Sequence, residues 1–217
     1  MEVVEIAPRL WRWTGHHEEW EEDVGSVYYV SGDGVVLIDP IVPPEDSERF
    51  LETLDREVAG SQVHVLVTVF WHTRSAAALV ERYGARVWAP ARGKAAVARR
   101  AGAVTDPYRP GDPLPGDVQA FRTARAAEVV YFVPEHGALV PGDVLLGEGA
   151  KGGGTRRAGA GGLRLCPDSW LPDGKGRAAL LASLAPLLDL PVERVLVSHG
   201  EPVLESAHAA LAAALQV

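Results

Sequence analysis

The segment from residue 64 to 90 constrains the fold more than any other part of the sequence. It begins with the apolar, β-branched run HVLVTV, continues as SAAALVERYG and ends as ARVWAP. A run that is apolar at every position is typical of a strand buried on both faces, as in a parallel sheet covered by helices. The middle run has helical spacing and ends at Gly84, a residue that favours helix C-termini. The segment therefore predicts a strand, a helix and a second strand.

The elements on either side of this unit extend an α/β order. Before it lie four strand-like runs and the helical run EDSERFLETLDREV; after it come further strands, a helix, a strand and an Ala/Leu-rich C-terminal helix. Two sheets held between outer helices accommodate this order. Periodicity alone leaves other α/β layer arrangements open. No linker divides the sequence, which predicts a single domain over residues 1–217.

Charge and composition narrow the classes of function. A formal charge of −8 argues against a nucleic-acid partner, because such partners require clustered cations. The single cysteine, Cys166, excludes an intrachain disulfide and a Cys-rich zinc module. Neither a signal peptide nor a membrane-spanning apolar run is recognisable, so the sequence predicts no membrane association and a cytoplasmic location.

Four segments, in order, resemble the metallo-β-lactamase superfamily. They are GVVLIDP at 34–40, VLVTVFWHTRSAAALVERYGARVWAP at 65–90, ALVPGDVLLG at 138–147 and VLVSHGEPV at 195–203. The resemblance implies a four-layer αββα sandwich, an α/β fold. It also implies that Asp39 is a structural residue, that Asp143 matches the carboxylate bridging two metals, and that His199 matches the terminal histidine ligand.

This sequence departs strongly from the metal-binding signature of that superfamily, Thr-His-x-His-x-Asp-His. If Thr68 anchors it, the ligand positions hold Val69, Trp71, Thr73 and Arg74. The third histidine of the family falls near Ala124 and is also absent. Of the seven usual ligand positions only Asp143 and His199 remain, so the resemblance implies a degenerate metal site.

Three residues in the altered signature suggest what replaced it. His72 could supply a third ligand, but strand alternation favours its facing away if Trp71 occupies the ligand face. Arg74 could pair with Asp143 in place of metal, and Trp71 could fill the space the metals leave. The alternative is that Arg74 and Trp71 simply pack. The predicted pocket thus comprises Trp71, His72, Arg74, Asp143 and His199.

Other candidate residues carry weaker signals. His16 and His17 stand among acidic residues that could bind a metal, although such a run is more often a solvated loop. Because the segment precedes a strand that enters the site face in the superfamily, it could instead overhang the pocket. The Gly-rich segment 147–162, with Lys151, Arg156 and Arg157, is interpreted as a mobile flap over the pocket rather than a phosphate cradle. Cys166 is interpreted as structural. Structural or surface roles are also expected for His64, His136 and His208.

Three functions remain open from sequence. The first is a non-catalytic pseudoenzyme without a cofactor, whose cleft binds a small molecule or a protein partner. The second is a hydrolase of an ester, thioester or amide with a rebuilt, mononuclear site holding zinc, iron or manganese at Asp143, His199 and a third group. The third is a scaffold subunit. Loss of five ligand positions favours the first.

Overall fold

The computed structural model describes residues 3–102, 104–125, 127–151, 162–172, 174 and 176–216. Within these ranges the strands are β1 (Val3–Ala7), β2 (Leu10–His17), β3 (Glu22–Ser31), β4 (Gly34–Ile38), β5 (Val63–Leu66), β6 (Arg86–Pro90), β7 (Asp106–Tyr108), β8 (Gln119–Arg122), β9 (Val129–Val133), β10 (Ala138–Val140), β11 (Leu145–Leu146), β12 (Arg164–Leu165) and β13 (Arg194–Val195). The α-helices are α1 (Ser47–Val58), α2 (Ala76–Tyr83), α3 (Lys94–Ala101), α4 (Arg177–Leu184) and α5 (Ala207–Leu215).

Two sheets form the centre of the molecule. The first has seven strands in the order β1 to β7; β1 to β4 are antiparallel to their neighbours, and β4 to β7 run parallel. The second has the order β13, β10, β9, β8, in which only the β10–β13 pair is parallel. The short β11 and β12 pair with each other.

Three apolar layers show that these sheets lie face to face between outer helices. Alternating residues of β9 divide between two layers: Val129, Tyr131 and Val133 face the first sheet, while Val130 and Phe132 face α4 and α5. A third layer joins the first sheet to α1, α2 and α3. The predicted αββα sandwich is therefore confirmed.

The local predictions are mostly confirmed, with differences at strand ends. Gly84 ends α2 in a left-handed conformation, as its position in the sequence indicates. The run HVLVTV stops being a strand at Leu66, and a 3-10 helix follows at Phe70–Thr73. The run RVLVSHG is a strand only over Arg194–Val195, because its later residues turn toward the edge where the side chains described below converge.

Among the described residues, no helix is long and apolar enough to cross a membrane.

Candidate metal centre

Three buried side chains from distant parts of the chain meet at one edge of the sandwich. His72 lies on the 3-10 helix after β5, Asp143 in the connection between β10 and β11, and His199 beyond β13. His72 Nε2 is 3.0 Å from Asp143 Oδ1, and His199 Nε2 is 3.2 Å from the same oxygen. One potential ligand atom from each residue lies within 4.8 Å of the other two.

This position of His72 corrects the prediction that it faces away. That prediction assumed that alternation along a strand continues through Trp71, but β5 ends at Leu66. Because consecutive residues of a 3-10 helix are only about 120° apart, neighbours can both reach the same side. Trp71 Nε1 accordingly donates a hydrogen bond to Asp143 Oδ2 at 2.7 Å, while His72 contacts Asp143 Oδ1.

Each histidine is held from behind by a carboxylate. His72 Nδ1 is 2.9 Å from Asp39 Oδ2, and His199 Nδ1 is 3.2 Å from Glu22 Oε2. Asp39 also accepts a hydrogen bond from the Thr68 backbone N–H at 2.8 Å, which fixes its carboxylate. We assign a ring proton to Nδ1 in both histidines, because that nitrogen faces a carboxylate, so that in the neutral ring Nε2 carries the lone pair that faces Asp143. Histidines that bind metals are commonly oriented in this way.

The atoms that face one another across the cluster lack ordinary hydrogen bonds. His72 Nε2 and Asp143 Oδ1 are both buried without a hydrogen-bond partner among the described residues. A lone pair opposite a carboxylate oxygen is unfavourable unless a cation lies between them. Two ligands about 2.1 Å from one ion are roughly 3.0–3.4 Å apart, which agrees with the two separations observed. These residues fit a single metal ion.

Charge is concentrated in the same cluster. Burial alone would lower the pKa of His199, but the Asp143 and Glu22 carboxylates raise it to about 9. Burial would raise the pKa of Asp143, yet His72 and His199 hold it well below its usual range. In the absence of a metal, a proton on His199 therefore neutralises part of the negative charge at neutral pH.

Arg74 does not form the predicted ion pair with Asp143. Its Nη1 donates hydrogen bonds to the carbonyl oxygens of Gly25 and Asp39, each at 2.7 Å, and its Nη2 donates to Ser198 Oγ at 2.5 Å. Burial lowers the pKa of Arg74 to about 10, which still leaves it charged at neutral pH. Arg74 itself has a positive φ of 39°, and its guanidinium contacts these carbonyls and Ser198.

The arginine beside Asp143 is instead Arg125, which sequence reasoning missed. Its Nη1 is 2.9 Å from Glu128 Oε2 and 3.8 Å from Asp143 Oδ2, and its guanidinium lies 4.7 Å from the centre of the Trp71 ring. Glu128 Oε1 accepts hydrogen bonds from the backbone N–H groups of Asp143, at 2.6 Å, and Val144, at 3.0 Å. Glu128 and Arg125 thus fix the loop that carries Asp143.

Gly142 explains how that loop passes so close to Glu128. A Cβ atom at this position would lie 2.7 Å from Glu128 Oε1 and 3.1 Å from Thr68 Oγ1. Burial raises the pKa of Glu128 to about 7, despite the opposing charge of Arg125. A polar residue preceding the apolar run VVYFV was the only signal in the sequence, and it did not distinguish Glu128 from a surface residue.

A cleft of about 550 Å³ opens over the cluster, and both Asp143 and His199 line it. The β2–β3 hairpin forms one wall: His17 stacks on Trp20 with ring centres 3.9 Å apart, and Trp20 lies 5.7 Å from both His72 and His199. His17 Nδ1 is buried without a hydrogen-bond partner among the described residues. His16 points the other way and contacts Asp23 at 3.0 Å. The prediction of a solvated loop is therefore wrong for His17.

The Gly-rich segment begins against this hairpin. The backbone N–H of Lys151 donates to Glu22 Oε1 at 2.9 Å, and its ammonium group donates to the carbonyl oxygen of Glu21. Lys151 also lines the cleft. The predicted flap, including Arg156 and Arg157, lies outside the described residues, apart from the ends of the segment.

The remaining candidates from the sequence lie elsewhere. Burial raises the pKa of the Cys166 thiol to about 11, which disfavours the thiolate that a nucleophile requires. His64 accepts a hydrogen bond from Trp88 Nε1 at 3.1 Å, and His208 Nε2 lies 2.8 Å from the Leu188 carbonyl oxygen. His136 is buried and packs edge-on against Tyr29.

Solved structures identify the fold. The metallo-β-lactamase DIM-1 superposes with a TM-score of 0.70 at 10% sequence identity, covering 99% of this chain and 96% of that one. FIM-1 from Pseudomonas aeruginosa, in its mono-zinc form, gives 0.68 at 13% identity with 99% and 93% covered. A metallo-β-lactamase from Pontibacter korlensis gives 0.65 at 17% identity with 99% and 98% covered. The chain has the metallo-β-lactamase fold.

No protein-family model matches the sequence, and no curated protein matches it.

Proposed function

We propose that this protein is a metal-dependent hydrolase with a mononuclear centre formed by His72, Asp143 and His199, acting on an ester, thioester or amide. The observation that carries the proposal is the pair of carboxylate-oriented histidines whose Nε2 atoms converge on Asp143 Oδ1. Two nitrogens and one carboxylate oxygen form a donor set used by catalytic zinc and by non-haem iron. Manganese is the third candidate metal.

A metal bound there would lower the pKa of a coordinated water and polarise a carbonyl group. The protein supplies the remaining functions around it. Asp39 and Glu22 fix the ring orientation of the two histidines. Trp71 and the Glu128 carboxylate fix Asp143 from its side chain and from its backbone, respectively. The centre is thus preorganised before any substrate enters.

His17 is the best placed group to handle protons. Burial, and then the nearby charge of Arg74, lower the pKa of His17 from its ordinary value, which favours the neutral ring. Its Nδ1 lacks a partner among the described residues and the ring lines the cleft. A neutral imidazole in that position can accept a proton from water, and the imidazolium so formed can donate that proton to a leaving group.

One similar structure supports a single-metal centre on this fold. FIM-1 has been observed in a mono-zinc form. The fold therefore accommodates one ion. The residues that bind zinc in FIM-1 are not assumed to be those of this chain. The proposal for this chain depends on His72, which stands one residue away from two ligand positions of the superfamily signature.

Metal content tests the proposal directly. Inductively coupled plasma mass spectrometry on protein purified without added metal or chelator should give about one zinc, iron or manganese per chain. The His199→Ala variant should lose it, whereas the His208→Ala variant, altered at an exposed histidine, should retain it. If the parent holds metal, it should also hydrolyse 4-nitrophenyl acetate or an acetyl thioester. A chelator should abolish that hydrolysis.

A second function is favoured by the raised pKa of His199, about 9. If neither the purified nor the metal-supplemented parent holds metal, a protonated His199 satisfies Asp143 and the cleft becomes a binding site. Its rim carries Arg100, Arg125 and Lys151, which suit an anionic small molecule. Isothermal titration of the metal-free protein with small carboxylates, compared with Arg125→Ala, would test this function.

A further inference from the structure

The part of the chain that carries α3 has a strong excess of positive charge. Residues 82–105 contain six lysine or arginine side chains and no aspartate or glutamate, although the whole chain has a net charge of −8. Two of the six pair with carboxylates, Arg82 with Asp55 and Arg86 with Asp106. The other four are exposed and form no ion pair among the described residues: Arg92, Lys94, Arg99 and Arg100. Their charge is therefore available to a ligand.

The stability of α3 does not explain this excess. The first turn of the helix, which begins at Lys94, contains no acidic residue. The helix dipole favours cations in the last turn, which suits Arg99 and Arg100, but it disfavours Arg92 and Lys94 at the start. Cations at both ends of one short helix therefore favour a role in binding over a role in folding.

Three of these cations lie along one side of α3. An α-helix turns about 100° and rises about 1.5 Å per residue. Arg92, seven residues before Arg99 and eight before Arg100, is therefore two turns away on the same side, at about 11 Å. The Gly93 carbonyl oxygen accepts a hydrogen bond from the Val97 N–H at 3.0 Å, so the helical path extends back to Gly93. We call Arg92, Arg99 and Arg100 the arginine patch.

The arginine patch begins at the edge of the cleft over the metal centre. Arg100 lines that cleft, and its guanidinium lies 5.1 Å from the centre of the Phe70 ring. Phe70 packs edge-on against Trp71, with ring centres 4.5 Å apart, and Trp71 donates its hydrogen bond to Asp143. A molecule bound at the metal centre can therefore extend past Arg100 and along the patch for about 11 Å.

Nearby carboxylates do not cancel the charge of the arginine patch. Of the elements that pack against α3, β6 and the 3-10 helix at Phe70–Thr73 carry no carboxylate, and α2 carries Glu81. The cleft itself is balanced, apart from its histidines, because three cations and three carboxylates line it: Arg100, Arg125 and Lys151 with Glu19, Glu22 and Asp143. The excess of positive charge thus lies beyond the cleft, where the far end of a substrate would extend.

We propose that the arginine patch binds a polyanionic tail of the substrate, a group that carries two or more phosphates and extends from the ester or thioester held at the metal centre. This inference rests on the proposed hydrolase function. Guanidinium groups match phosphate oxygens in charge and geometry, and a diphosphate places at least two charges within about 11 Å. The net charge of −8 disfavours a large polyanion such as a nucleic acid, whereas a short tail contacts the patch alone.

Binding of the tail can be measured without the metal. Adenosine 3′,5′-bisphosphate, which carries two phosphates and no thioester, is titrated calorimetrically into chelator-treated protein at low salt. The parent should bind it, and Arg92→Glu/Arg99→Glu should weaken binding about tenfold, because each change replaces an attraction by a repulsion. The control is Arg49→Glu/Arg56→Glu, at exposed positions of α1, which changes the net charge equally and should bind as the parent does.

Hydrolysis then connects the arginine patch to the metal centre. Acetyl-coenzyme A and the acetyl thioester of N-acetylcysteamine contain the same reacting bond, but only the first carries phosphates. The metal-loaded parent should prefer acetyl-coenzyme A about tenfold in kcat/KM. Arg92→Glu/Arg99→Glu should lose this preference, and Arg49→Glu/Arg56→Glu should keep it.

The outcomes separate this proposal from the hydrolase function. If the parent hydrolyses both thioesters equally and does not bind the bisphosphate, the hydrolase function stands and the tail-binding proposal is overturned. If the parent binds the bisphosphate through the arginine patch but hydrolyses neither thioester, the patch stands as a phosphate site and the hydrolase function fails. Equal weakening in both double variants also overturns the proposal, because net charge would then determine binding.

Discussion

Two groups of polar side chains lie side by side beneath the cleft, and they differ in how fully they are satisfied. Arg74 gives both terminal nitrogens to acceptors, namely two backbone carbonyls and the Ser198 hydroxyl. In the neighbouring cluster, His72 Nε2 and Asp143 Oδ1 are 3.0 Å apart, and neither has a hydrogen bond. Both groups lie close to the altered signature. In Arg74 only Nε lacks a partner among the described residues, whereas in the neighbouring cluster the unpaired atoms of His72 and Asp143 face each other.

The difference separates a structural replacement from a binding site. Arg74 connects three segments that end at the same edge of the sandwich, so it holds the fold together where a metal ligand is expected. The histidines and Asp143 are also held firmly, but from behind, with their free atoms facing one another. Two oriented, unsatisfied atoms that face each other are consistent with the proposed metal centre.

The largest effect that would sharpen this comparison is expected at Arg74. Arg74→Met leaves two carbonyl oxygens and a hydroxyl without their donor, and should lower the free energy of unfolding in urea by about 3–4 kcal/mol. The folded variant should retain its metal. Arg99→Met, at an exposed position, is the control and should change stability little. Loss of metal together with unchanged stability would assign Arg74 to the metal centre instead.

The pH dependence of the metal-free protein probes the other group. Because the pKa of His199 is raised from 6.5 to about 9, its stabilising contribution is complete below pH 6.5 and is lost as pH rises through 9. In chelator, the free energy of unfolding should fall by about 3 kcal/mol between pH 6 and pH 9.5. His199→Gln should flatten this part of the profile. The same slope in the variant would mean that another group titrates.

Glu22 tests the orientation of His199. Glu22→Gln keeps the size of the side chain but weakens the contact with His199 Nδ1, so metal affinity should fall about tenfold, as for other carboxylates behind a ligand histidine. A competition titration with a fluorescent zinc chelator measures this change. Glu21→Gln is the control, since only the backbone of Glu21 contacts its neighbours here. Equal losses of metal affinity in the two variants would mean that the change in surface charge, and not the contact with His199, causes the loss.

The smallest effect is expected at Trp71. Trp71→Phe removes the hydrogen bond to Asp143 Oδ2 while keeping an aromatic ring, and should cost about 1 kcal/mol of stability in urea unfolding. Trp170→Phe, at another tryptophan of the cleft, is the comparison. If both variants lose the same amount, ring packing rather than the indole N–H accounts for the change.

The sequence predicted the layers well because apolar periodicity reports burial directly. The residues of HVLVTV and VVYFV are buried. Their apolar pattern indicates this in the sequence itself, without knowledge of which distant segments cover them. The site was harder to predict. His72 was misjudged because the end of β5 at Leu66 is set by how the next residues turn, and alternation gives no warning of it.

Arg74, Glu22 and Glu128 show a second reason for the difference. Arg74 and Glu22 act through partners more than forty residues away in the chain, Arg74 through Gly25 and Ser198 and Glu22 through His199. Glu128 acts through the backbone of Asp143, 15 residues away, once the loop has folded back. Charged residues are usually exposed, so a single sequence favours the surface for all three. Only tertiary contacts distinguish a buried carboxylate from a solvated one.

The separation of the ligands along the chain also governs when the centre can form during synthesis. Asp39 and His72 emerge early, Asp143 follows much later, and His199 comes four residues after β13, the strand that pairs with β10. Pairings between distant segments form late, because chain closure must precede them. A ribosome-bound chain that stops before β13 therefore holds only two of the three proposed ligands, and if the centre binds metal as proposed, metal uptake would report completed folding.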